Sequence, residues 1–364
     1  MTLYKDRHVD THMNHPINIF PNYDDYLGLD TTAQPIHQPR SMHMEEQPLL
    51  SIRNLTLEYK THKGYVSAVD DVSFDLMAGQ AMGLVGESGC GKTTIAMALI
   101  RLSPENAEIR QGEILLDGQD ILKFSEAQMR DVRWARVSMV FQAAMNALNP
   151  VYRVGDQIIE ALDRHQDGMS MTQKQERVVE LFKLVGIDPK MISRYPHEFS
   201  GGMRQRAVIA MALACNPSLI IADEPTTALD VIVQDQVLRE LSRIQKTLQM
   251  SMIYISHDIA VIAEVADIIG VMYAGCLVEK ASTQTIFQSP CHRYTKALLS
   301  AFPSIAGPKT ELYALPGDPP DLLMPPSGCR FHPRCSYAIE RCSKEKPPFT
   351  QIKYGHWAAC WNPV

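Results

Sequence analysis

From Leu50 onward apolar and polar positions alternate, with Leu50, Ile52, Leu55, Leu57 and Tyr59 followed by Val66 to Val69 and Val72 to Leu76. A repeat of about two residues predicts short antiparallel strands with one face buried. The next run, Met82-Gly83-Leu84-Val85, is apolar throughout and predicts a fully buried strand, while Thr94 to Ile100 reads as a helix. Between Val154 and Val185 the spacing becomes helical, as in Val178, Val179, Leu181, Phe182 and Val185, and Gly186 closes the pattern. Two further buried strands are predicted at Leu219 to Ala222 and Met252 to Ile255, each followed by polar residues. From Pro290 a proline-rich tail begins, in which Pro316, Pro319, Pro320, Pro325 and Pro326 are expected to lie outside regular elements. Residues 1–46 hold five of the twelve histidines and little apolar periodicity, and are expected to form a disordered extension.

Between the first buried strand and its helix lies Gly86-Glu87-Ser88-Gly89-Cys90-Gly91-Lys92-Thr93, a match to the phosphate-cradling pattern GxxxxGK[ST] in the strand–loop–helix context it requires. Its glycines let backbone N–H groups turn toward a phosphate, and the helix that follows adds its partial positive charge. Lys92 is expected to reach the β- and γ-phosphates, Thr93 to place its hydroxyl on Mg2+, and Thr94 to complete the anion site. The strand Leu219 to Ala222 ends in Asp223-Glu224, an adjacent carboxylate pair. Such a pair suits phosphoryl transfer to water, with Asp223 near Mg2+ and Glu224 as general base. The strand at Val140-Phe141 ends in Gln142, and Ile253 to Ile255 leads to Ser256-His257-Asp258. In a parallel sheet these ends face one crevice, where Gln142 can meet Mg2+ or the attacking water and His257 the γ-phosphate.

Composition narrows the partners. The longest unbroken apolar run, Ala207 to Cys215, is nine residues, and no segment has the order of a secretory signal. A net charge of −6 argues against nucleic acid as the principal partner. Of the eight cysteines, Cys90, Cys215, Cys276 and Cys291 are scattered, whereas Cys329, Cys335, Cys342 and Cys360 crowd the last 36 residues. Four thiolates on a loop-rich segment can hold zinc or an iron–sulfur cluster, although the paired CxxC knuckles favoured by zinc ribbons are missing; two disulfides are the third reading. Cys90 sits at a variable position of the phosphate loop and needs no redox role.

The segment Phe199-Ser200-Gly201-Gly202-Met203-Arg204-Gln205-Arg206 decides among nucleotide machines, because it ends 17 residues before Asp223 and lies between Gln142 and Asp223-Glu224, with Ala228-Leu229-Asp230 and His257 following. This order resembles the motif set of ATP-binding cassette proteins, from about Leu49 to the C-terminus. The resemblance implies an α/β P-loop NTPase fold of ABC type, with an N-terminal antiparallel β-subdomain, a helical signature subdomain and a small Cys-rich tail. It places the nucleotide-binding domain at 47–287, its helical part at about 150–215, and a C-terminal region at 288–364. It implies that Ser200, Gly201, Gly202 and Met203 grip ATP bound to a partner's phosphate loop, that Asp230 belongs to the D-loop, and that Tyr59 stacks on adenine, with Tyr65 as the fallback. Phe199 and Met203 stand where Leu and Gln are commonest, and Ala143-Ala144 where an acid and Pro are frequent.

The tail narrows the branch. Ser289-Pro290-Cys291-His292-Arg293-Tyr294-Thr295-Lys296-Ala297-Leu298 and Gly328-Cys329-Arg330-Phe331-His332-Pro333-Arg334-Cys335 resemble segments of peptide-importer ATPases, with Arg293 in place of the usual Pro. The resemblance implies an ATPase, with ATP and Mg2+ and a four-iron, four-sulfur cluster (4Fe-4S) as cofactors, at the cytoplasmic face of the inner membrane. Its expected partners are two transmembrane permease subunits, a second identical or homologous ATPase and an extracytoplasmic binding protein, with no nucleic acid. Import of nickel, glutathione or another small solute is the alternative. A soluble cassette acting on DNA or ribosomes fits less well, since only 57 residues separate Gln142 from Ser200, too few for the long coiled coil of repair ATPases.

Overall fold

The computed structural model describes residues 47–142, 147–227, 230–301 and 315–364. The expected extension over 1–46 and the readings at Ala143-Ala144 and Ala228-Leu229 lie outside these. The alternation from Leu50 builds β1 (Leu50–Thr61) and β2 (Gly64–Leu76), two long antiparallel strands rather than the short ones expected. Register shifts between Ile52 and Glu58 mark bulges, which interrupt the period and make each strand read as pieces. After β3 (Ala81–Val85) and α1 (Lys92–Leu99), strand β4 (Ala107–Leu116) returns to pair with β1, and β5 (Gln119–Asp120) completes a four-stranded sheet of order β2-β1-β4-β5.

Helix α2 (Glu126–Val132), capped by Ser125, leads to β6 (Val137–Val140). The predicted helical insert is α3 (Val154–His165) and α4 (Met171–Leu184), followed by the signature helix α5 (Gly201–Ala212). The chain then runs through β7 (Leu219–Asp223), α6 (Val231–Leu248), β8 (Ser251–Ser256), α7 (Ile259–Ala263), β9 (Ile268–Tyr273) and β10 (Cys276–Ser282). Five strands, in the order β9-β3-β8-β7-β6, are mutually parallel, so the loops after β3, β6, β7 and β8 open on one edge.

Both faces of this sheet are covered, which is why its strands read as unbroken apolar runs. In β7, Leu219 and Ile221 join the core formed with the antiparallel sheet and α1, while Ile220 and Ala222 join the core formed with the helical subdomain. Each fully buried Leu or Ile contributes roughly 1.5–3 kcal/mol.

The proline-rich tail is more ordered than its composition predicts. It carries α8 (Thr283–Gln288) at its approach, then α9 (Arg293–Ser300), α10 (Glu340–Lys344) and the hairpin of β11 (Thr350–Lys353) with β12 (His356–Ala358). Strand β12 pairs antiparallel with β10, so the central sheet continues across the boundary expected at residue 288. Pro316, Pro319, Pro320, Pro325 and Pro326 fall between these elements, where a missing N–H costs nothing.

Candidate functional site

The phosphate loop joins β3 to α1, with Gly91 at the N-cap of the helix. Gly91 has φ +101°, and a Cβ there would lie 2.3 Å from the carbonyl oxygen of Ala68; Gly86 has φ +152°, and a Cβ would lie 2.1 Å from that of Met272. Both positions require glycine because strands β2 and β9 press on the loop. Lys92 is buried, and its Nζ donates to the carbonyls of Gly86 at 2.7 Å and Glu87 at 3.0 Å. Ser88, Gly89 and Thr93 face solvent. Cys90 is buried with its sulfur 3.6 Å from Lys92 Nζ, and burial pushes its thiol up.

Beside the loop, Asp223 ends β7 and is 1% exposed, with neither carboxylate oxygen in a hydrogen bond. Burial raises its carboxyl above the usual range, while the Thr93 hydroxyl and the Lys92 charge oppose the rise. A buried, unpartnered carboxylate next to a loop threonine is the donor set of a hard divalent cation. Glu224 follows with φ +45°, a left-handed backbone ahead of Pro225 that turns its side chain across the strand ends. Its Oε2 accepts from Gln142 Nε2 at 2.9 Å and from the Thr227 hydroxyl at 2.9 Å, and its Oε1 lies 3.0 Å from His257 Nδ1. Burial alone would raise the Glu224 carboxyl, but the hydrogen bonds from His257 and Thr227, with the charges of His257 and Lys92, hold it below the usual range. The ends of β6, β7 and β8 therefore meet on one carboxylate.

The signature residues form a second cleft, of about 340 Å3, lined by Ser200, Gly201, Gly202, Met203, Arg206 and Asp230 among others, and by no phosphate-loop residue. Ser200 caps α5 by accepting from Met203 N–H at 3.2 Å, and Asp230 caps α6 by accepting from Val233 N–H at 3.0 Å. Phe199 is buried edge-on against Phe182 of α4, with ring centroids 6.5 Å apart, so an aromatic ring at this position is an anchor. Sequence reasoning missed Gln205, whose buried amide donates to the carbonyl of Pro225 and ties the signature helix to the turn after Glu224. Tyr59 lies against the loop, its hydroxyl 3.1 Å from that of Thr94, whereas the ring of Tyr65 is covered by the Arg110 guanidinium at 4.3 Å.

Residues 69–227 match the ABC transporter family, and residues 278–342 match the oligopeptide/dipeptide transporter C-terminal region. The chain is 42% identical over 320 residues to the dipeptide transport ATP-binding protein DppD of Lactococcus lactis subsp. cremoris (strain MG1363), spanning 87% of this chain and 92% of that protein. The chain belongs to the ABC transporter family. It is also 44% identical over 317 residues to the oligopeptide transport ATP-binding protein OppD of Bacillus subtilis (strain 168), spanning 86% of this chain and 88% of that one. A dimeric ATP-binding cassette in a post-hydrolysis state bound to ADP and Pi has the same fold, with a TM-score of 0.58 and 24% identity over 64% of this chain and 98% of that one. This ABC cassette is thus an ATPase working with ATP and Mg2+. Among the described residues no helix is long and apolar enough to cross a membrane.

In the C-terminal region of the cassette, Cys329, Cys335, Cys342 and Cys360 line one small cavity with Phe331 and Trp361. Burial pushes the Cys329 thiol up to about 12, and burial also raises Cys335 and Cys360. Among the described residues, the one set of three possible ligand atoms lying within 4.8 Å of one another is not drawn from these four but from Glu279, Cys291 and His356. That set is closed by hydrogen bonds. Glu279 accepts from the N–H groups of Cys291 at 2.6 Å and His292 at 2.9 Å, and its Oε1 lies 2.7 Å from His356 Nε2.

Proposed function

We propose that the chain is the ATP-hydrolysing subunit of a binding-protein-dependent importer of di- or oligopeptides, working at the cytoplasmic face of the membrane. The observation that carries the catalytic reading is the convergence of Gln142, Thr227 and His257 on Glu224, beside the unpartnered Asp223. The phosphates of ATP offer Lys92 stronger acceptors than the two carbonyls it now serves, so it transfers to them when nucleotide enters. Thr93, Asp223 and Gln142 would hold Mg2+, which would supply neutralisation of the phosphate charge. Glu224, kept ionised by its donors, takes the proton of the attacking water. With both ring nitrogens protonated, His257 would donate Nδ1–H to Glu224 and Nε2–H to the γ-phosphate.

The separation of the two clefts supports completion of the site in trans. Ser200 to Met203 of one cassette close over the phosphate loop of a second, identical or homologous, and hydrolysis reopens the pair. An open cleft of about 890 Å3, lined by Trp134, Asn149, Tyr152, Gln157 and Arg164 among others, lies between the helical subdomain and α2. Tyr152 on this cleft is 58% exposed and the neighbouring Val151 70%, and the cleft includes Asn149 of the Gln142 to Pro150 stretch on which the permease subunits would dock. The peptide reading rests on the named relatives and the matched C-terminal region.

The four-cysteine cavity is proposed to hold 4Fe-4S rather than zinc. The four thiols sit on a loop-rich segment that lacks the paired CxxC knuckles favoured by zinc ribbons. The thiols would give up their protons on binding the cluster. The assignment is tested by co-purification of the chain with two multi-spanning subunits and by uptake of labelled di- and oligopeptides in the assembled complex, with nickel and glutathione as competing substrates. Uptake of a competitor without peptide uptake would refute the peptide reading. Visible absorption and iron analysis of anaerobically purified protein test the cluster.

A further inference from the structure

Two arginines of the C-terminal region reach into the nucleotide-binding core. Arg330 donates to Asp70 at 2.8 Å, to the Ser67 hydroxyl at 3.0 Å and to the carbonyl of Ala274, in the turn between β9 and β10. Four residues later, Arg334 makes two parallel hydrogen bonds to the carboxylate of Glu87, at 2.7 and 3.0 Å, while its Nε donates to the Pro316 carbonyl at 2.8 Å. The Arg334 side chain is 8% exposed and that of Glu87 23%. Glu87 is the second residue of the phosphate loop.

Its backbone is held from the same side. The Glu87 N–H donates to the hydroxyl of Tyr294 in α9 at 3.1 Å. Tyr294 is fully buried in an aromatic knot with Tyr273, at 4.6 Å between ring centroids, and with Phe331, at 5.4 Å. Phe331 opens the short turn that carries Arg334. The Glu87 carbonyl is one of the two acceptors of Lys92 Nζ. The side chain and N–H of this loop residue are therefore tied to the C-terminal region, and its carbonyl to the lysine that must find the phosphates.

We propose that Arg334 is a positioning residue for ATP: it neutralises the carboxylate that Glu87 would otherwise present beside the triphosphate and, with Tyr294, fixes the curvature of the phosphate loop. The electrostatic half follows from the bidentate geometry, in which both guanidinium branches meet both carboxylate oxygens. Partial burial limits screening by salt. Without Arg334 an unpaired carboxylate stands next to the incoming polyphosphate, so nucleotide affinity falls. Arg334 directly precedes Cys335, so the brace and one wall of the four-cysteine cavity share a turn. The inference rests on the ATPase activity of the family and not on the transported substrate.

The test is MgATP binding to the full-length chain by calorimetry, with thermal unfolding measured in parallel. R334Q should bind MgATP roughly tenfold more weakly, the size of one charge-assisted hydrogen bond, and R334E more weakly still. In the assembled importer the loss should fall mainly on the KM for ATP. The swapped pair E87R/R334E should recover most of the affinity lost by R334E. If R334E does not fold, E87Q/R334Q should bind more tightly than R334Q, because the orphaned carboxylate is gone. Affinity unchanged in R334Q overturns the proposal, and so does a folded swap, or an E87Q/R334Q pair, with no recovery.

Discussion

Gln142 donates its side-chain amide to Oε2 of Glu224 at 2.9 Å, joining the end of β6 to the end of β7 across 82 residues of sequence. The bond leaves the Gln142 carbonyl oxygen free as an acceptor and fixes one of the two carboxylate oxygens. The Thr227 hydroxyl shares that oxygen, so the other one, beside His257, is the better placed to take a proton. Glu224→Gln keeps the shape of the side chain and removes its basicity. Steady-state hydrolysis in the assembled importer should fall by about 10²–10⁴, the usual contribution of a general base, with ATP retained in a closed dimer. Near-normal hydrolysis would remove Glu224 from that role.

His257 bears on the same carboxylate through pH. As the proposed base Glu224 would act ionised, so turnover should be retained above its pKa and lost as pH falls through it. Burial works to raise that pKa, and the hydrogen bond from His257 is the largest effect holding it down. In His257→Ala the carboxyl rises, and the acid limb of the kcat profile should move to higher pH along with a lower maximum. A profile that drops without shifting would place His257 on the phosphate alone.

Lys92 has a different signature because it serves the loop before it serves the nucleotide. Its Nζ bridges the carbonyls of Gly86 and Glu87, closing the loop on itself. Lys92→Ala should lose both this closure and the phosphate contact, weakening MgATP binding by roughly 10²-fold or more, since hydrogen bonds to charged groups contribute about 1.5–3 kcal/mol each. Calorimetry on the full-length chain measures it, and binding within threefold of the parent would contradict the assignment.

The parts of the site legible in the sequence are those whose chemistry is local. The phosphate loop, Asp223-Glu224, Gln142 and His257 each follow a short apolar run, and a parallel sheet carries such ends to one edge. Gln205, Arg334, Tyr294 and Glu279 were not legible, because each acts on a partner 12 or more residues away that no spacing announces. The hairpin of β9 and β10 was hidden for a backbone reason. Its turn holds Ala274 at φ +49° and Gly275 at φ +86°, a pair of left-handed positions usually marked by Asn-Gly or Asp-Gly. In the tail, the prolines were visible and the pairing of β12 with β10 was not, since that strand is only three residues long.

Glu279 ties that tail to the sheet. It lies on β10 with no exposed surface, and its donors come from the N–H groups at the start of α9 and from His356 on β12, which is 2% exposed. A buried carboxylate without donors costs several kcal/mol, so the position persists only because both its oxygens are satisfied. Glu279→Ala would orphan two backbone N–H groups and the His356 ring at once, and should destabilise the chain by about 3–5 kcal/mol, the range for breaking a buried charged network by removing one partner. Because β12 is held to the sheet by a short register at Glu279 and Lys280, the loss should be felt first there. Hydrogen exchange should accelerate over residues 350–358 under conditions that leave β3, β7 and β8 protected, and the melting temperature should fall. Unchanged protection of 350–358 in a folded Glu279→Ala chain would mean that the aromatic knot of Tyr273, Tyr294 and Phe331 holds the C-terminal region without this carboxylate.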